Sequence, residues 1–383
     1  MHSTRDTTQL TVALLEGGPG ARRRRPTVLV AVVSSAAVLG LCALSALRRY
    51  SGSASDEAGG SSSSGEPGGE TVGLESTVLA ELRALLDERT DLLMPVIELP
   101  RARMPTISAV AASSGGSDFS TLTPVVFLHG EGDKGDNPGM QSLCKTASDA
   151  YPGLYVVCAS VASGIASITT PLAEQVEEFA QYVNSDARLA MGFHGVGLSQ
   201  GGLVLRGYVE TRNTPPVRRL ISLCTPHGGV SACPSNALYK MVCPLWRLAP
   251  YTARLAFADY WKDAGDQSTY LDRSRWLADI NNERHSKKAT YRSNMRSLER
   301  YVLVEATNDT TVAPHASESH GFYEWGGSGA IVPLRQSDGY KGDYIGLRNL
   351  DEAGRLHTLT YEGDHLAFSP RWWSEVVIPH LGP

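Results

Sequence analysis

Short, continuous apolar runs alternate with stretches of helical spacing through the second two-thirds of the chain. VVFLHG at 125–130 is apolar without interruption, the pattern of a strand covered on both faces. LYVVCAS at 154–160 repeats it, and LAEQVEEFAQYV at 172–183 then switches to a period near 3.6, which predicts a helix. The strand MGFHGVGLS (191–199), the helix QGGLVLRGYVE (200–210) and the strand RLISLCT (219–225) follow. Further strands are expected at 300–306 (RYVLVEA) and 356–361 (LHTLTY), and a last helix at about 371–381. This alternation predicts an α/β fold with a mostly parallel central sheet flanked by helices. Between Gly228 and Arg300 the alternation gives way to helical text with Pro, Trp and Tyr, which reads as a helical cap insertion at about 228–300.

The first third follows a different pattern. Residues 27–47, TVLVAVVSSAAVLGLCALSAL, carry no charge, and at about 1.5 Å per residue they span a hydrocarbon core of roughly 30 Å. Arg22–Arg25 precede this run and only Arg48 and Arg49 follow it, so 1–26 is expected on the cytoplasmic side and the rest on the lumenal or outer side. A cleaved signal peptide is the alternative, with small residues at Ala43 and Ser45. Residues 51–70 are Ser/Gly-rich and cannot offset their ordering entropy by burial. With a short helix over 74–94 and another small-residue stretch at 111–120, the segment 48–123 reads as a flexible tether. The folded unit is then 124–383.

Charge and cysteine usage narrow the field. Lys and Arg number 35 against 40 Asp and Glu, a net of −5, without the basic excess of a nucleic-acid binder. Of six cysteines, Cys42 lies in the apolar run. Cys233 and Cys243 flank a loop-like stretch and are the expected disulfide in an oxidising compartment. Cys158 and Cys224 end buried-looking strands and read as small hydrophobes. No metal-ligand spacing appears, and the reading calls for no cofactor.

The strongest local motif is Gly197-Leu198-Ser199-Gln200-Gly201, a G-x-S-x-G sequence between a strand and a helix. A serine on so sharp a turn projects its hydroxyl from the sheet, and glycines two positions either way remove the clash that side chains would make. The helix after it brings N–H groups and a dipole to a developing oxyanion. Such a serine needs a base, and the base an orienting carboxylate, in the chain order Ser, acid, His. His365 (YEGDHLAF), just after the strand at 356–361, is the expected base. His315 and His320 are the runners-up, while His357 and His380 read as structural. Asp309 (EATNDTTVAP), just after the strand at 300–306, is the expected acid, over Asp338, Asp343 and Asp364. The oxyanion donors are expected at the backbone N–H groups of Gln200 and of Glu131, the latter in the loop LHGEGDKGDN. Asn308-Asp309-Thr310 is an N-glycosylation acceptor.

With these residues in place, the chain from about 124 to 382 resembles the palmitoyl-protein thioesterase family. The resemblance is carried by HGEGD (129–133), GLSQGG (197–202), WLADINNER (276–284), NDTTVAP (308–314) and EGDHLAFS (362–369). It implies Ser199, Asp309 and His365 as nucleophile, acid and base, Glu131 and Gln200 as oxyanion donors, and Cys233–Cys243 as the cap disulfide. The family commonly has methionine where Glu131 stands, which puts a carboxylate near the anion. The family's other cysteine pairs lack clear counterparts, so Cys144, Cys158 and Cys224 could stay free and their pairing is left open. The family is usually soluble after signal cleavage, so an anchor would be a departure.

The implied activity is removal of long-chain acyl groups from S-acylated cysteines of proteins, with the acyl chain and the acylated protein as partners. It would act in the lumen of the secretory pathway, in lysosomes or endosomes, on a membrane anchor. Leu245, Trp246, Leu248, Tyr251, Leu255, Phe257, Tyr260 and Trp261 could line an acyl groove or equally form the cap's own core. A lipase or acyl-CoA thioesterase of the same fold, and an inactive membrane-tethered binding module, are the alternatives.

Overall fold

The computed structural model describes residues 122–233, 251 and 255–383. The segment 27–47, the tether and Cys243 lie outside the described residues, and no described helix is long and apolar enough to cross a membrane. Six parallel strands form the central sheet: β1 (Val125–Leu128), β2 (Val156–Ala159), β3 (Phe193–Leu198), β4 (Val217–Leu223), β5 (Arg300–Ala306) and β6 (Leu356–Tyr361). Their spatial order is β2-β1-β3-β4-β5-β6. Phe127 is level with Cys158 on one side and Val196 on the other, so β1 sits well inside the sheet.

Side-chain alternation builds two cores, one on each face. Val125 and Phe127 of β1 join Val196, Ile221, Val302 and Trp373 on one face. Val126 and Leu128 join Phe179, Phe193, Leu220 and Leu303 on the other. This two-sided cover is why the strands read as unbroken apolar runs rather than as alternating ones.

Three helices follow from the strands. α1 (Pro138–Ala150), which the apolar pattern did not predict, packs against the first face. Asn137 accepts the Gly139 N–H at 2.8 Å, and Pro138 stands in the first turn, where its missing N–H costs no bond. α2 (Leu172–Ser185) and α3 (Gln200–Thr211) lie on the other face, and α3 is buried from Gln200 to Glu210. Within α3, Arg206 and Glu210 are both fully buried and approach to 3.7 Å, with Arg206 also donating to Asn281 at 2.8 Å.

Between β4 and β5 the described chain forms short helices at Ala256–Asp259, Gln267–Arg273 and Leu277–Ile280, and α4 at Ala289–Arg296. Tyr251, Phe257, Tyr260 and Trp261, four of the residues expected to line a groove, are buried in the main apolar cluster. Leu255 packs partly buried against it, and Leu245, Trp246 and Leu248 lie outside the described residues.

Two expectations need correction. The last helix is broken into a helical turn at Pro370–Trp372, a π turn at Trp373–Val377 and a 3-10 turn at Ile378–His380. Pro379 has no N–H to donate to the carbonyl four residues before it, so an α-helical ladder cannot run through this position. Cys144 and Cys158 are not free but form a disulfide, with Cα atoms 6.2 Å apart. β2 is an edge strand with half-buried residues, and α1 lies over it, so Cys158 meets Cys144 instead of filling a core. Cys224 is the buried free cysteine among the described residues, as expected. Cys233 is disulfide-bonded.

Candidate active site

β3 ends at Leu198 and α3 begins at Gln200, leaving Ser199 alone to turn the chain. It does so at φ 50° and ψ −122°, a conformation that costs an L-residue about 1–3 kcal/mol and persists only where packing enforces it. That packing is made of close backbone approaches. A Cβ on Gly201 would stand 2.4 Å from the carbonyl oxygens of both Leu128 and His129, and one on Gly197 would stand 2.4 Å from the Gly202 Cα. Neither neighbour is a side chain that could move away. The Ser199 N–H donates to the Leu223 carbonyl at 2.8 Å, fastening the turn to β4. The Ser199 hydroxyl makes no capping bond to α3.

The loop after β1 lies directly against this turn, since a Cβ on Gly130 would come within 3.2 Å of the Ser199 Cβ. The loop is pinned on its far side by the Gly132 N–H to the Ser167 hydroxyl, 2.6 Å, and by the Gly164 N–H to the Asp133 carbonyl, 2.8 Å. Gln200 is held by its side-chain amide, which donates to the Ser167 carbonyl at 2.7 Å and to Gln175 at 3.2 Å. Thus Ser167 and its neighbours tie together the two segments that carry Glu131 and Gln200. The Glu131 carboxylate accepts from the Tyr260 hydroxyl at 3.5 Å, directing its charge toward the β4–β5 segment.

The second half of the site comes from the ends of β5 and β6. His365 Nδ1 and Asp309 Oδ2 are 2.5 Å apart, with the Asp309 side chain fully buried and the His365 side chain 11% exposed. The other oxygen of Asp309 accepts the N–H groups of Thr311 (2.6 Å) and Val312 (2.8 Å). Burial raises the affinity of this carboxyl for a proton, but hydrogen bonds from His365, Glu318 and Val312 outweigh it and hold its pKa below the ordinary carboxylate value. Asp364 does not compete for the imidazole. It accepts from the backbone N–H groups of Thr310 and His365, both at 2.8 Å, and so fastens one loop to the other.

The remaining candidates fall elsewhere. His315 is exposed and pairs with Glu305 at 2.8 Å. His320 stacks on His227 at 4.6 Å and contacts the Tyr301 hydroxyl at 3.2 Å, with burial keeping its pKa low. Asp343 takes the Asn349 N–H, and Asp338 opens a short helix. His357 and His380 approach each other at 5.7 Å, and His380 meets Arg300. Asn308 is exposed beside the site.

One residue was missed. Glu318, on the 3-10 turn His315–Ser319, is fully buried behind Asp309. Burial, with the Asp309 carboxylate as a second cause, pushes its pKa up to about 11, so it carries a proton at neutral pH. In HASESHG it looks like any solvated acid, and no local signal marks it. Glu318, Asp309, His365 and Cys224 each place one polar atom within 4.8 Å of the others. Cys224 is likewise kept protonated by burial, so the set includes two poor metal donors.

A parallel sheet that sets a strained serine between strand and helix, with an Asp–His pair in the loops after two later strands, defines an α/β hydrolase. Residues 124–365 match the model of the palmitoyl protein thioesterase family. Palmitoyl-protein thioesterase 3 of Dictyostelium discoideum is 38% identical over 251 residues, covering 64% of this chain and 86% of that protein. Palmitoyl-protein thioesterase 1 of Caenorhabditis elegans is 35% identical over 257 residues, 63% of this chain and 86% of that protein. Human lysosomal thioesterase PPT2 is 27% identical over 263 residues, 66% and 85% respectively. The chain belongs to the palmitoyl-protein thioesterase family and is a thioester hydrolase.

Proposed function

We propose that this enzyme removes long-chain fatty acyl groups from S-acylated cysteines of proteins through a Ser199–His365–Asp309 triad. The observation that carries the reading is the His365–Asp309 hydrogen bond at the carboxyl edge of the sheet that also presents Ser199. With Nδ1 donating to Asp309, Nε2 of His365 is the atom left to take the serine proton. Ser199 Oγ attacks the thioester carbonyl carbon as His365 accepts that proton, and the negative charge collects on the carbonyl oxygen. The Glu131 and Gln200 backbone N–H groups stabilise it. Collapse breaks the C–S bond, and the proton held on His365 passes to the departing sulfur, so the thiol leaves and the imidazole is neutral again. The cleavage itself needs little acid help, because a free cysteine thiol has a pKa of about 8.5. Water, deprotonated by His365, then attacks the acyl-enzyme, and collapse returns the proton to Ser199 and frees the fatty acid.

Residence in the oxidising lumen of the secretory pathway, and in lysosomes, is part of the reading. The Cys144–Cys158 disulfide supports the first and the name of the human relative the second. The segment 27–47 would be the membrane tether and Asn308 the glycan site. The test is labelling by a fluorophosphonate probe and turnover of an S-palmitoyl peptide, palmitoyl-CoA and a glyceride. Ser199 should be labelled and the peptide preferred, with Ser199→Ala unlabelled and at least about 10⁴-fold slower. Labelling elsewhere, or an active Ser199→Ala enzyme, would overturn the triad, and a preference for glyceride would make the enzyme a lipase.

A further inference from the structure

Behind the Asp–His pair lies a second carboxyl group that the proposed mechanism does not use. Glu318 is 0% exposed, and one of its oxygens accepts the Ala306 N–H at 2.8 Å. The other, Oε1, is sealed from solvent and receives no hydrogen bond, and the carboxyl group as a whole lies beside the Asp309 carboxylate, with one polar atom of each within 4.8 Å. Two ionised carboxylates cannot share so small a dry space, since like charges there repel and each is stripped of water. One proton must lie between them, and the donors decide where. Asp309 receives hydrogen bonds from Thr311 N–H, Val312 N–H and His365. Glu318 receives the single Ala306 N–H on its Oε2. The better-solvated carboxyl ionises, so the proton resides on Glu318 and its hydroxyl points at Asp309.

We infer that Glu318 is a positioning residue for the base, a neutral carboxylic acid that donates a hydrogen bond to Asp309 and holds that carboxylate at the angle His365 requires. This rests on the triad reading. The turn that carries Glu318 is fixed independently of substrate, because the Ser317 carbonyl accepts the Gly228 N–H at 3.0 Å. Asp309 is therefore clamped from three directions: backbone N–H groups below, an acid behind, imidazole in front. The titratable groups facing Glu318 are Asp309 and Glu305 from β5 and the loop after it, Cys224 after β4, and Tyr361 and His365 from β6 and its loop. Cys224 and Tyr361 are engaged with each other at 3.1 Å, and burial keeps both protonated.

Glu318→Gln and Glu318→Met separate the roles of donor, charge and bulk. Glutamine keeps a donor toward Asp309 and an acceptor for Ala306, whereas methionine keeps only the volume. For palmitoyl-CoA hydrolysis, Glu318→Gln should retain kcat within about threefold, with the acidic limb of the kcat/KM profile unmoved. Glu318→Met should lose about 10–100-fold in kcat at constant KM, as expected for a lost hydrogen bond to a charged group. Its acidic limb should move to higher pH, because an Asp309 with one donor fewer holds a protonated imidazole more tightly. The inference is overturned if Glu318→Gln loses as much as Glu318→Met. It is equally overturned if the limb of Glu318→Gln shifts downward, which would mean that a negative charge had been removed, or if both variants match the parent. Should methionine prevent folding, the glutamine profile alone still decides. Ser199→Ala runs alongside: an active Ser199→Ala enzyme sinks the triad itself, whereas a wrong Glu318 pattern with inactive Ser199→Ala sinks only this assignment.

Discussion

The two halves of the site are built by different physics. The Ser199 half is steric, a strained turn held because Gly197 and Gly201 let backbone approach backbone with no side chain between. The Asp309–His365 half is electrostatic, with buried ionisable groups arranged so that one carboxyl is charged and its neighbour is not. The first tolerates any pH but no added atom. The second tolerates changes of size but not a change in where a proton or donor sits. An active site assembled this way can fail by either route, and the failures should look different.

The largest effect should come from the electrostatic half. Asp309→Asn keeps the shape but offers the imidazole an amide that does not fix the required tautomer, and kcat should fall about 10⁴-fold. The thermal midpoint should hardly move, as differential scanning fluorimetry would reveal. A comparable loss of stability would mean that Asp309 is structural. Next is the steric half: Gly201→Ala forces α3 away from β1 and should cost about 1–3 kcal/mol in urea unfolding. Fluorophosphonate labelling of Ser199 should slow with it. An unaltered labelling rate would separate the glycine contact from the turn.

The smallest effect sharpens the comparison with a buried charge away from the site. Burial pushes the Glu210 pKa up from 4.5 to about 8 despite Arg206. A carboxyl whose folded pKa is raised contributes stability below its unfolded pKa and loses it as pH rises through the folded value. Glu210→Gln should therefore melt like the parent at pH 5 and relatively higher at pH 8.5. A gap that is the same at both pH values would refute the shift.

What the sequence reveals divides along the same line as the site. β1, β3, β4 and the Ser199 turn were legible because each is local: an apolar run, or glycines at fixed offsets from one serine. Asp309 and His365 were legible because topology puts the loops after β5 and β6 at one edge of the sheet, and the two side chains meet at 2.5 Å. Glu318 was not, because its burial comes from β5, the Gly228 segment and Asp309, which only the folded chain brings together. Cys144–Cys158 escaped for a related reason. The helix carrying Cys144 opens with Pro138-Gly139, which reads as loop until Asn137 is seen to cap it. The last helix is not the single element expected over 371–381, because Pro379 interrupts the ladder near its end.

The amino ends of the strands carry a further consequence. The chain enters β1 there, with the His194 N–H on the Pro124 carbonyl, and it finishes there, with the Arg219 guanidinium gripping the carbonyls of His380 and Gly382. Anything joined ahead of residue 122 or after Pro383 is thus attached to the floor of the domain, while the chemistry opens at its ceiling. An enzyme immobilised through either end would present the Ser199 turn outward, toward whatever passes above the surface that holds it.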